Sequence, residues 1–177
     1  MLFDTTHYVA QYPMTPYGGL FICVVGAFVI LGTVALHLRT TLVWIGFAAG
    51  VLAFALLGAR LSVGLRSPTV LQISALALAI VLEVIGFAVL LPRWRARGER
   101  PATEATLLIV GAHFLVMLPA FGPLIGVLGV LCCVNAALAW RFVRYPLGVA
   151  WFVDGLLKLS IGAGMVLTAP VLHVLRA

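Results

Sequence analysis

Residues 69–91 read TVLQISALALAIVLEVIGFAVLL, an apolar stretch bounded by Pro68 and Pro92 and broken by one charge, Glu83. A helix of about 20 such residues crosses the roughly 30 Å hydrocarbon core of a bilayer. Within it every backbone N–H and C=O is satisfied internally, as lipid demands. The stretch therefore predicts a transmembrane helix that carries a carboxylate into its interior. Working outward, apolar runs at 19–37, 42–61, 105–118, 124–140 and 147–169 predict five more spans. The expected fold is an all-α polytopic transmembrane helical bundle of six spans, forming a single integral membrane domain over residues 1–177.

Composition agrees. The chain is 64% hydrophobic and 9% charged, with a mean hydropathy of +1.21, against about 45–50% apolar and 25% charged for soluble domains. A net charge of +6 comes from ten arginines and one lysine against five acids. The arginines gather at segment ends, so they read as topology signals and headgroup contacts. No basic patch interleaved with aromatics supports nucleic-acid binding.

Residues 1–18 hold Asp4 and neither Lys nor Arg, so the basic region of a secretory signal is missing. Tyr8, Tyr12 and Tyr17 predict an interfacial approach to the first span. Between the fourth and fifth spans, Pro119-Ala-Phe-Gly-Pro123 cannot continue a helix. Residues 105–140 thus form a hairpin, either two short crossings or a re-entrant loop. Arg39, Arg93, Arg95, Arg97, Arg100, Arg141 and Arg144 fall on one side of this arrangement, and Arg60, Arg66 and Arg176 on the other. The positive-inside rule then places both termini outside a cell inner (plasma) membrane.

Short matches suggest an internal repeat. Val25-Gly26-Ala27 recurs as Val110-Gly111-Ala112 and Ile45-Gly46 as Ile125-Gly126, while Pro68 to Pro92 parallels Pro146 to Pro170. They predict two inverted three-helix halves, an arrangement common among transporters. Gly50, Gly86, Gly126, Gly129, Gly155, Gly162 and Gly164 are expected to permit close helix contact.

Depth singles out the candidate site. At about 1.5 Å per helical residue, Asp154 lies roughly 12 Å, and Lys158 roughly 18 Å, from the arginine-rich end of the last span. On the same measure Glu83 lies at about 13 Å, His113 at about 12 Å and Asn135 at about 9 Å. Five polar side chains from four spans are therefore expected in one slab. Charged side chains at such depth are costly and commonly mark ion or substrate pathways. Asp154 and Lys158, four residues apart with the acid first, are placed to pair. An ionised Glu83 would then leave one negative charge, to be balanced by a proton, a protonated His113 or a bound cation. The structural alternatives are a carbonyl-bonded core histidine at His113 and interhelical glue at Asn135.

The stretch Asp154-Gly155-Leu156-Leu157-Lys158, followed by Gly162 and Gly164, resembles the retinal-binding helix of microbial rhodopsins, where Asp-x-x-x-Lys precedes a glycine pair. The resemblance covers one helix and implies retinal as a Schiff base on Lys158. It departs from that family in span number, in chain length and in the expected direction of this helix.

Other chemistries are weaker. Neither His-Glu-x-x-His nor Cys-x-x-Cys nor Gly-x-Ser-x-Gly occurs. Haem ligation by His113 with His37 or His173 would need ligands at matching depth. Cys23, Cys132 and Cys133 lie in apolar segments, where packing is the expected role and soft-metal binding the alternative. Three functions remain: a transporter or ligand-binding protein with a proton- or cation-linked site for a small molecule or ion; an intramembrane acid–base enzyme acting on an isoprenoid- or sterol-like lipid; and an accessory subunit. The expected partners are the lipid bilayer, a small-molecule or ion ligand, and a homo-oligomer or larger membrane complex, with no nucleic acid.

Overall fold

The computed structural model describes residues 5–61, 63–142 and 144–170, and among these all regular structure is helical. A short helix α1 (Thr5–Gln11) precedes α2 (Thr15–Val34). A 3₁₀ turn (Leu36–Leu38) leads into α3 (Arg39–Leu61). Then come α4 (Val70–Ile85), a π-helical turn (Gly86–Leu90), α5 (Leu91–Arg95), α6 (Glu99–Val116), α7 (Leu118–Phe121), α8 (Pro123–Arg141) and α9 (Leu147–Val166). Five segments are long and apolar enough to cross a membrane: Thr15–Val34, Arg39–Gly58, Val70–Arg95, Pro123–Arg141 and Leu147–Val166.

Helix α6 is not among those five because Glu99, Arg100 and Glu104 occupy its first turns. It nevertheless runs from one end of the bundle to the other. Its start meets both loops at the arginine-rich end: Arg39 pairs with Glu99 at 3.0 Å, and Arg100 donates to Tyr145 O. Its far end turns through α7 beside Tyr8 and Thr15, both of which donate to Phe121 O at 2.9 Å. Burial pushes the Tyr8 phenol above its usual pKa, which keeps it a donor. Gln72, at the start of α4, donates to Gln11 O at this same tyrosine end. The helix expected from residue 105 therefore begins at Glu99, six residues earlier.

Two breaks have local causes. Pro92 was expected to end its span, yet the helix continues to Arg95. Pro92 lacks an N–H and crowds the carbonyl four residues back; the wider π turn just before it absorbs that conflict. Gly122, at φ 78°, makes the sharp reversal between α7 and α8.

Close packing follows glycine. Gly19 faces Gly162 and Gly26 faces Gly155, two antiparallel pairs spaced two turns apart on α2 and α9. A Cβ at Gly26 would lie 2.8 Å from Gly155 O, and one at Gly155 would lie 2.9 Å from Gly26 O. Such backbone approach supplies the van der Waals contact that holds membrane helices together. Helices α6 and α8 pack through Gly111 and Gly129, α7 and α8 through Gly126, and α2 and α3 through Gly46 and Gly50. Gly164 departs from expectation: nothing lies within 4 Å of a Cβ built there.

The expected inverted repeat would make its matched glycines equivalent in packing. The matched glycines are not equivalent, however, because Gly26 faces α9 whereas Gly111 faces Cys132 and Cys133 of α8. That sequence match therefore does not mark a repeated contact.

Candidate functional site

Helix α9 supplies the centre of the buried layer. Asp154 and Lys158 are 1% and 3% exposed, and Lys158 Nζ donates to Asp154 Oδ2 one turn away. Gly26 and Gly155 allow α2 to close over this turn of α9, and a Cβ at Gly26 would sit 2.9 Å from Lys158 Cβ. The ammonium also lies 5.6 Å from the Phe114 ring centroid, a cation–π contact that is worth more when desolvated. Cys132 of α8 faces Asp154. The second carboxylate oxygen, Oδ1, is buried, and beyond the weak thiol donor of Cys132 it has no hydrogen-bond partner among the described residues.

Glu83 and His113 meet beside this pair. His113 of α6 is buried, and its Nδ1 lies 2.8 Å from Val110 O and 3.6 Å from Glu83 Oε1. A neutral His113 protonated at Nδ1 satisfies Val110 and leaves Glu83 at the edge of contact. Phe114 links the two pairs: its ring centroid lies 5.6 Å from Lys158 Nζ and 4.3 Å from the His113 ring centroid. Glu83 has a side chain 25% exposed. It sits on α4, which packs along α6 and α7 but not closely on α2, α3 or α9. One carboxylate is thus sealed inside the α2–α9 contact, while the other borders a looser flank.

Asn135 does not join them. Its Nδ2 donates to Ala150 O at 2.8 Å, and its Oδ1 accepts from Tyr145 at 3.1 Å. It shares their depth but closes the α8–α9 corner, in a second apolar cluster with Leu107, Ala136 and Ala139. The same corner contains Trp151, whose indole Nε1 is buried and unpartnered among the described residues.

Sequence reasoning missed two contributors. Phe114 has no feature in the apolar run 105–118 that singles it out, yet its ring lies beneath Lys158. Arg100, read as a topology signal, donates to Ala139 O at 2.7 Å, Phe142 O at 3.1 Å and Tyr145 O, and pairs with Glu104 at 2.9 Å. A cation there satisfies the open carbonyls at the end of α8. The spacing Arg100-x-x-x-Glu104 carried that signal, had the helix been started at 99.

Retinal does not fit at Lys158. The ammonium is held by Asp154, α2 packs against its Cβ, and Phe114 covers it, which leaves no room for a polyene. No group of three or more His, Cys, Asp or Glu able to hold a metal occurs among the described residues. His173, a candidate haem ligand, lies outside the described residues, as do Asp4 and Arg176.

Fold and layer together define a multi-pass helical membrane protein with buried ionisable groups. Residues 5–174 match the model of a family described as "Family of unknown function (DUF6609)", and the chain belongs to that family. No curated protein and no solved structure matches it.

Proposed function

We propose that this chain is a transporter or ligand-binding protein in which Glu83 takes up and releases a proton, or binds a cation, next to the substrate. The observation that carries this reading is the asymmetry of the two carboxylates. Asp154 has a counter-ion in Lys158, whereas among the described residues Glu83 pairs only with His113, at 3.6 Å, and keeps a quarter-exposed side chain. With Asp154 and Lys158 neutralising each other, an ionised Glu83 is an uncompensated charge in the membrane interior. A proton or a cation restores balance.

Position favours a specific second reading. Glu83 lies on a helix whose neighbouring side chains Ile80, Val81, Val84 and Ile85 are exposed. A carboxyl reached sideways from the bilayer would suit acid–base chemistry on a lipid-like substrate.

Infrared difference spectroscopy across pH tests the shared core of both readings. A carboxyl band that follows pH and vanishes in Glu83→Gln supports it. Identical spectra from the two proteins would leave Glu83 a structural group.

Orientation follows from the arginines: the end bearing Arg93, Arg95, Arg97 and Arg100 faces the cytoplasm and both termini face out. An Ala96→Cys probe in a cysteine-free background should resist impermeant thiol reagents in whole cells. Ready labelling would invert the topology.

A further inference from the structure

The arginine-rich end holds a feature that the buried layer does not explain. Trp94 of α5 and Trp140 of α8 meet edge to face, with ring centroids 5.9 Å apart and planes at 84°. Arg97 stacks on Trp94 at 4.9 Å, and Arg141, next to Trp140, lies 5.7 Å from the Phe142 ring. Trp140 is 59% exposed, and Arg93, Arg97 and Arg141 are exposed as well.

What distinguishes these arginines is how the neighbouring acids are spent. Glu99 is taken by Arg39 and Glu104 by Arg100. Among the described residues no carboxylate pairs with Arg93, Arg97 or Arg141. Their guanidinium groups keep their charge and their planar donors, which match the oxygens of a phosphodiester. Tryptophan, apolar in body with one N–H, settles at the headgroup level of a bilayer. Two tryptophans from different helices, flanked by unpaired arginines at that level, present an acyl-facing surface beneath an anion-binding rim.

We propose that the Trp94–Trp140 corner, with Arg93, Arg97 and Arg141, is a binding site for an anionic phospholipid. The arginines take the headgroup phosphate and the two rings take the first acyl segments. A free phosphate would use the rim but gain nothing from the rings, so the charge complementarity and the aromatic pair together favour the lipid.

The test uses the full chain in nanodiscs, with Trp44→Phe and Trp151→Phe so that only Trp94 and Trp140 fluoresce. Phosphatidylglycerol brominated on its acyl chains should quench them at lower mole fraction than brominated phosphatidylcholine. Changing Arg93, Arg97 and Arg141 to Gln should weaken this preference by about fivefold for each arginine removed. The unmodified chain gives a second reading: added dioleoylphosphatidylglycerol should raise its thermal midpoint in detergent, and dioleoylphosphatidylcholine should not. Equal quenching by the two lipids, or a preference that survives the triple substitution, overturns the proposal. Loss of the preference on adding inorganic phosphate would reassign the rim to a soluble anion.

Discussion

The two sides of the buried layer are built differently. On one, α2 and α9 meet backbone to backbone through Gly19–Gly162 and Gly26–Gly155, and this contact encloses Asp154 and Lys158. On the other, α4 rests on α6 and α7, follows Glu83 with a π-helical turn, and leaves that carboxylate partly exposed. π turns inside helices are frequent at functional sites. A charge sealed by rigid backbone contact with its counter-ion attached is poorly placed to exchange anything. A charge on a loosely held helix next to a π turn and Pro92 is well placed. On the function proposed above, the α2–α9 seam supplies stability and the α4 flank is where exchange would occur.

The seam can be broken most severely at its ion pair. Lys158→Met or Asp154→Asn leaves a buried charge unpaired and should cost about 3–5 kcal/mol, whereas the double change should be close to neutral. Thermal unfolding in detergent reads this directly. Additive losses would mean that the two groups act independently.

Next in size is Gly26→Val. Its new side chain would meet Leu159 N, Gly155 O and Lys158 Cβ, all within 3 Å of the Cβ position. Backbone cannot yield as a side chain can, so a loss of about 3 kcal/mol is expected. Gly164→Ala on the same α9 has open space around it and should gain up to about 1 kcal/mol from helix propensity. If the two substitutions cost the same on the same thermal assay, the seam is not where the bundle's stability lies.

Much of this was legible in the sequence, and the failures are instructive. Apolar runs located the helices because lipid forces every backbone group into internal hydrogen bonds. The largest departure was α6, whose start was misplaced because Glu99, Arg100 and Glu104 look like loop residues. They are helical because Arg39 and the carbonyls at the end of α8 consume their charge and hydrogen bonds. Depth, calculated from helical rise, placed five polar groups in one slab. Depth says nothing about direction around the helix axis. Asn135 therefore shares the slab yet turns into the α8–α9 corner, while Glu83, His113, Asp154 and Lys158 converge. Gly164 failed likewise: composition reveals a small residue, and only packing shows which face it lies on. The mutual facing of Gly26 and Gly155 needed the three-dimensional pairing of α2 with α9, helices far apart in the chain.

The central claim is that Glu83 exchanges a proton from the α4 flank while Asp154 stays locked to Lys158. A hydrophobic carbodiimide tests it most directly, because the reagent enters from the bilayer and modifies carboxyl groups only in their protonated form. Peptide mass spectrometry of the treated protein, reconstituted at a series of pH values, should find Glu83 modified and Asp154 untouched. Modification at Glu83 should fall as pH rises. An unmodified Glu83 throughout the series, or equal modification of Glu83 and Asp154, would contradict the account.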